Sequence, residues 1–205
     1  MDRIQDRVAL FVDYQNCYRR AREAFFRVND PAPCGQVRPR SLGTRLAQRR
    51  GVQRVLVGVF VFRGLPLVHH DPKGSSAAQR QLAQWDRESL VTAWSRALNY
   101  RDPARPKEKG VDVKIVVEMV TRAMSDEFDI AILFSDDTDF VPAIEAVMDI
   151  KGSDSACEVA AWVPQGGGRF NPIQLTNRRL WVNRLDVRDY GHVEDRTDYT
   201  LGRRR

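Results

Sequence analysis

The sequence predicts a three-layer α/β/α domain on a mainly parallel sheet, and three observations carry that expectation. Short apolar runs such as Val8 to Val12 are hydrophobic on both faces, as strands buried in a parallel sheet must be. They alternate with segments whose apolar residues recur at helical spacing. Aspartates stand directly after two of these runs, at the carboxyl edge where open α/β sheets bind ligands.

Val8 to Val12 is the first strand and closes on Asp13. A helix over Tyr18 to Phe26 follows, broken by Pro31, Pro33 and Gly35 before a basic helix from Ser41 to Arg50 that Gly51 stops. The β-branched and aromatic stretch Val52 to Phe62 is the second strand, ended by Gly64 and Pro66. Ala77 to Leu98 has good helix formers and neither Gly nor Pro, which predicts one long helix. Its apolar positions drift, because Ala78, Leu82 and Trp85 share a face that Leu90, Trp94 and Leu98 do not, so such a helix must bend or touch two surfaces.

Asn99 to Gly110 is charged and carries two prolines, the composition of an exposed loop. Asp112 is placed as the N-cap of the next helix, with Val113, Val116, Val117, Val120 and Met124 as its apolar positions. Asp129 to Phe134 is the following strand, and Phe140, Val141, Ile144, Val147 and Met148 mark a helix that admits Pro142 in its first turn and stops at Gly152. Glu158 to Val163 and Leu180 to Leu185 complete the strands. Apolar spacing disappears from Arg188 onward, so the expected organisation is one domain over residues 1–187 and a basic, mobile tail over residues 188–205.

The chain has 205 residues, 42% of them hydrophobic, enough for one domain with a core. A formal charge of +6 favours phosphate-bearing partners. No apolar run approaches the roughly 18 residues of a membrane-spanning helix, and Met1 to Asp6 is charged where a signal peptide is apolar, so no membrane is expected and the location is expected to be cytoplasmic. Three cysteines (Cys17, Cys34, Cys157) without CxxC spacing support neither a disulfide framework nor a thiolate zinc site, so any metal must have oxygen ligands.

This topology gathers Asp13, Asp112, Asp136 and Asp139 at one rim of the sheet. Two carboxylates roughly 4 Å apart repel by about 4 kcal/mol at an effective dielectric near 20, which raises a pKa or demands a counter-ion. Hard oxygen ligands suit Mg²⁺ or Mn²⁺, ions that use a few carboxylates together with substrate phosphate. Phosphodiester hydrolysis by water is the chemistry such a site performs, and it needs no nucleophilic side chain.

Phe11-Val12-Asp13-Tyr14-Gln15-Asn16, Lys109-Gly110-Val111-Asp112-Val113 and Leu133-Phe134-Ser135-Asp136-Asp137-Thr138-Asp139-Phe140 resemble the three signatures of the NYN domain, a family of PIN-like metal-dependent ribonucleases. The resemblance spans Val8 to about Leu185 and implies a PIN-like (Rossmann-like) topology, RNA as substrate, single-stranded by expectation, and Asp13, Asp112, Asp136 and Asp139 as the acidic cluster with Asn16 as partner of the first aspartate. Two departures stand out. The family commonly has Ser-Gly-Asp-x-Asp in its last motif; here Asp136 takes the glycine place and Asp137 the aspartate place, which makes Asp137 and Asp139 the preferred ligands. Six residues after Asp112, where the family often has aspartate, stands Glu118, a further candidate ligand. Lys109, Ser135 and Thr138 of the same signatures are candidate substrate contacts.

Plainer explanations compete at each position. Any one aspartate after a strand is commonly a helix cap. Glu118 lies four residues from both Lys114 and Arg122, the spacing of a surface ion pair. His69 and His70 have no spaced partner for a metal, the Arg-rich stretch Arg38 to Arg50 is usually a solvated helix face, Gly166 to Gly168 lacks the rest of a phosphate loop, and Trp85, Trp94, Trp162 and Trp181 read as core. The first expectation is an endoribonuclease dependent on Mg²⁺ or Mn²⁺. The rival is an inactive RNA-binding or scaffold module on the same fold, and oligomerisation is left open. A phosphotransfer domain is disfavoured because no second aspartate stands two residues after Asp13, where the chain has Gln15.

Overall fold

The computed structural model describes residues 5–50, 53–102, 105–168 and 170–201. Its elements are β1 (Asp6–Asp13), α1 (Tyr14–Phe25), α2 (Pro39–Gln48), β2 (Arg54–Leu65), α3 (Pro72–Trp85), β3 (Val91–Ala97), α4 (Val111–Met124), β4 (Ile130–Phe134), α5 (Val141–Lys151), β5 (Cys157–Trp162), β6 (Trp181–Leu185) and α6 (Val187–Val193). The six strands form one sheet of order β3-β2-β1-β4-β5-β6, every pair parallel. The expected three-layer α/β/α architecture is what the chain forms, with a wholly parallel sheet.

Alternation along the central strand builds both faces at once. Val8, Leu10 and Val12 pack under α1, α2, α3 and α6, while Ala9 and Phe11 pack under α4 and α5. Burial of each large aliphatic or aromatic side chain contributes roughly 1.5–3 kcal/mol, so β1 anchors both layers. No helix among the described residues is long and apolar enough to cross a membrane.

Several expectations are corrected. The long helix over Ala77 to Leu98 is two elements, α3 and the edge strand β3, separated by a turn in which Leu90 adopts φ 68°. The drift in apolar positions is this change of element: Val91 to Ala97 pair with Val59 to Leu65 of β2, which runs past Gly64. In α4, Gly110 at φ 78° is the N-cap and Asp112 lies in the first turn; the buried face is Val111, Ile115, Met119 and Ala123, and Val113, Val117 and Met124 are exposed. The stop assigned to Gly51 lies outside the described residues; α2 already ends at Gln48.

The tail is corrected as well. Asp186 and Asp189 form a capping box that starts α6, and the Asp189 carboxylate is gripped by Arg45 of α2 and by Arg49 at its C-cap. Beyond the helix, Arg38 N–H donates to the Val193 carbonyl at 2.8 Å, and buried Tyr199 donates to Asp195 at 2.7 Å. Arg80 of α3 also donates to the Tyr199 and Thr200 carbonyls, so the chain is packed against α2 and α3 through Thr200, not loose after Arg188. Two arginines beyond the C-terminus of α2, Arg50 and Arg54, the latter at the start of β2, pair with the fully buried Glu158 of β5. Trp181 is half-exposed under the Arg50 guanidinium rather than core.

Candidate active site

From β1 the sheet grows through β2 to β3, and the chain then returns to place β4 on the other side of β1. At such a reversal the loops leaving the two strands diverge and open a crevice at their carboxyl ends. Asp13, the last residue of β1 and 6% exposed, stands in this crevice as the N-cap of α1. Its Oδ1 accepts the Asn16 backbone N–H at 3.1 Å, and its Oδ2 accepts the Ser135 hydroxyl at 3.4 Å. Ser135 Oγ in turn accepts the Asp137 N–H at 3.2 Å, and Asp137 caps the 3-10 turn Thr138–Phe140 by accepting the Asp139 N–H at 3.0 Å. One hydroxyl thus ties together the ends of β1 and β4.

The third wall comes from the loop before α4. The Glu108 carboxylate accepts the Gly64 N–H at the end of β2, drawing that loop onto the sheet. Gly64 permits the approach, because a Cβ there would stand 2.6 Å from Glu108 Oε1. Asp112 follows one turn later. The result is a cleft of about 310 Å³ lined by Asp13, Asn16, Arg19, Glu108, Asp112 and Asp137, among others.

Burial pushes the Asp13 carboxyl up from its ordinary 3.8 to about 7, with the charges of Glu108 and Asp112 adding to the rise and the Asn16 N–H and Ser135 hydroxyl opposing it. Glu108 is likewise raised by burial and by Asp112, against the Gly64 N–H and the charges of Arg19 and Arg63. Asp112 is raised by burial and by Asp137 and Asp139. These carboxylates destabilise one another's charged forms, so the cleft favours uptake of protons or cations. As the side chains stand, no three His, Cys, Asp or Glu among the described residues are close enough together to hold an ion.

The remaining sequence candidates fall in three places. Asp136 is committed to protein partners, accepting the Asn16 side-chain amide at 2.6 Å and pairing with Arg20 Nε at 2.7 Å. Asn16 therefore reaches Asp13 through its backbone and Asp136 through its side chain. Asp139 is exposed and acts on the cleft through its charge on Asp112, while Thr138 is exposed beside an adjoining cavity and Lys109 is exposed after Glu108. Two assignments are corrected. Ser135 is 1% exposed with its hydroxyl engaged on both sides, so it braces the aspartates and cannot touch a substrate. Glu118 is not in the cleft: it is bound by Lys114 and Arg122 on α4, as the i,i+4 spacing allows. His70 stacks on Tyr100 at 4.0 Å, away from the carboxylates. Glu108, Arg19 and Arg20 were not singled out by the sequence; the one signal for Glu108 is its place just before Lys109-Gly110-Val111-Asp112.

A family model described as NYN domain matches residues 7–154, most of the chain and all three aspartate-bearing signatures. The chain belongs to the NYN domain family. Membership places it with PIN-like nucleases as a class. Among solved structures, the crystal structure of a protein of unknown function, VPA0982 from Vibrio parahaemolyticus RIMD 2210633, is similar at TM-score 0.53 and 22% identity, covering 78% of this chain and 83% of that one. At that identity the likeness speaks for the fold alone. No curated protein matches the chain.

Proposed function

We infer that this NYN domain is an endoribonuclease that hydrolyses RNA phosphodiester bonds with the help of Mg²⁺ or Mn²⁺. One observation carries the inference: Asp13, Glu108, Asp112 and Asp137 line a single cleft at the reversal of the sheet, and three of the four are held above their ordinary pKa by burial and mutual repulsion. A donor set made only of carboxylate oxygens with excess negative charge fits those two ions. Asp13, Asp112 and Asp137 would hold the ion, with Glu108 beside them and Asp139 steadying Asp137 through its backbone N–H. When bound, such an ion lowers the pKa of a coordinated water and offsets charge building on the scissile phosphate.

The chain's own residues supply position and attraction. Ser135 and the Asn16 N–H hold Asp13 in one orientation, and Gly64 holds Glu108. Arg19 adds positive charge at the cleft, and the net charge of +6 adds sequence-independent affinity for phosphates. A second reading, an RNA-binding module without turnover, is favoured by the commitment of Asp136 to Asn16 and Arg20 at a position inside an aspartate signature. The deciding experiment incubates labelled single-stranded RNAs with Mn²⁺, with Mg²⁺ and with EDTA. Cleavage only with metal supports the nuclease, and intact RNA in every condition moves the assignment to the binding module.

A further inference from the structure

A second cavity, of about 470 Å³, adjoins the acidic cleft and shares Asn16, Arg20 and Glu23 with it as a common wall. It opens at the carboxyl ends of β4 and β5, between α1 and the loop residues Pro164, Phe170 and Pro172. One part of its lining is apolar: Phe134, Ala161, Pro164, Phe170 and Pro172. The other is polar: Asn16, Asp136, Thr138 and Asn171. Its volume lies within the roughly 300–1,000 Å³ of small-ligand sites.

The polar side is already oriented. Asp136 accepts from the Asn16 amide nitrogen and from Arg20, so the direction of the Asn16 amide is dictated by a carboxylate that can only accept. That leaves Asn16 Oδ1 as a fixed acceptor, which makes no hydrogen bond among the described residues. On the apolar side the Arg184 guanidinium, outside the cavity lining, lies 5.3 Å from the Phe170 ring centroid and secures that ring on the loop.

An apolar ligand would bury Asn16 Oδ1 without a partner, and a sugar or bare phosphate would waste the apolar wall. A nucleobase has two apolar faces and one edge of donors and acceptors, and so matches both. Only an unpaired base can offer them, because pairing consumes the edge and stacking covers the faces. We propose that this cavity is a subsite for one unpaired nucleobase of the RNA strand whose backbone crosses the acidic cleft. The subsite rests on RNA as the substrate of the neighbouring cleft, deepens that assignment, and makes the protein selective for single strands by shape.

The test separates the two. A fluorescent single-stranded decamer RNA is bound to the full chain in EDTA, where no cleavage is expected, and compared with the same decamer carrying one abasic nucleotide at each position in turn and with a duplex of equal length. Wild type should bind the single strand more tightly than the duplex and lose on the order of tenfold at one abasic position, the scale of one stacked base. Phe170→Ala, in a loop, and Ala161→Trp, which fills the cavity, should bind the intact decamer with that same loss and show no further loss at the abasic position. Melting curves of both variants verify folding, and Phe170→Ala decides the matter if Ala161→Trp does not fold. Equal affinity for duplex and single strand, or an abasic penalty that survives in Phe170→Ala, overturns the subsite even if Mn²⁺-dependent cleavage is present. Cavity-dependent binding without cleavage in Mn²⁺ upholds the subsite and removes the nuclease.

Discussion

The Asn16 side-chain amide donates to Asp136 at 2.6 Å, while the backbone N–H of the same residue donates to Asp13 at 3.1 Å. Asn16 thus separates two aspartates that the sequence places in one cluster. Asp13 faces the acidic cleft with its charge disfavoured by burial and by Glu108 and Asp112, and Asp136 is paired with Arg20 and hydrogen-bonded by Asn16 on the far side of that wall.

Because Asp136 is satisfied by protein partners, Asp136→Gly should keep metal-dependent cleavage within about tenfold of wild type, ~1.4 kcal/mol in barrier. It also releases the Asn16 amide beside the base subsite, so RNA affinity should fall while the cleavage step is kept. Single-turnover rates and binding measured side by side check both; a loss as deep as that of Asp13→Asn contradicts the separation.

Glu118→Gln removes two ion pairs along α4 and touches nothing in the cleft. It should cost about 0.5–1 kcal/mol of stability, less in high salt, with cleavage unchanged. Thermal melts at two salt concentrations and one rate measurement suffice.

In the metal-free protein, Asp13 keeps its proton to about pH 7 when folded but loses it near 3.8 when unfolded. Folding therefore takes up a proton in that window, and stability falls as pH rises from about 4 to 7, with the full cost present above it. Asp13→Asn deletes the ionisation. It should stabilise the fold at pH 8, by at most ~4 kcal/mol at ~1.4 kcal/mol per pH unit, and change little at pH 4. Denaturant unfolding in EDTA at the two pH values measures this, and destabilisation at pH 8 contradicts it.

Asp189 is nearly buried between Arg45 and Arg49 and closes the capping box of α6. Asp189→Ala leaves two guanidiniums facing an empty site and should cost about 2–3 kcal/mol, with residues 186–201 becoming open to protease before the sheet does. Equal protease resistance in variant and wild type counts against this role.

The sequence shows the central strands and their aspartates most clearly, because β1 and β4 are buried on both faces and read as plain apolar runs that end at the site. It hides β3, whose Val91, Thr92 and Trp94 favour a strand, because no Gly or Pro separates it from α3; the break falls at Leu90, a residue type that gives no warning of a positive φ. The buried face of α4 is hard to read because valines are abundant on both sides of that helix, and only the packing against α5, β1 and β2 selects Val111, Ile115 and Met119. Glu108 was invisible for a different reason. Its role depends on a hydrogen bond to Gly64, 44 residues earlier, a distance that local patterns do not carry.

The central claim is that the carboxylates of the cleft hold the ion that cleaves RNA. The most direct measurement is single-turnover cleavage of a labelled single-stranded RNA in Mn²⁺ by wild type and by Asp112→Asn, whose side chain lines the cleft and makes no hydrogen bond that folding needs among the described residues. Removing one ligand should slow cleavage at least ~100-fold, about 2.7 kcal/mol, while RNA binding in EDTA stays within twofold. A folded Asp112→Asn protein that cleaves at the wild-type rate would contradict the account.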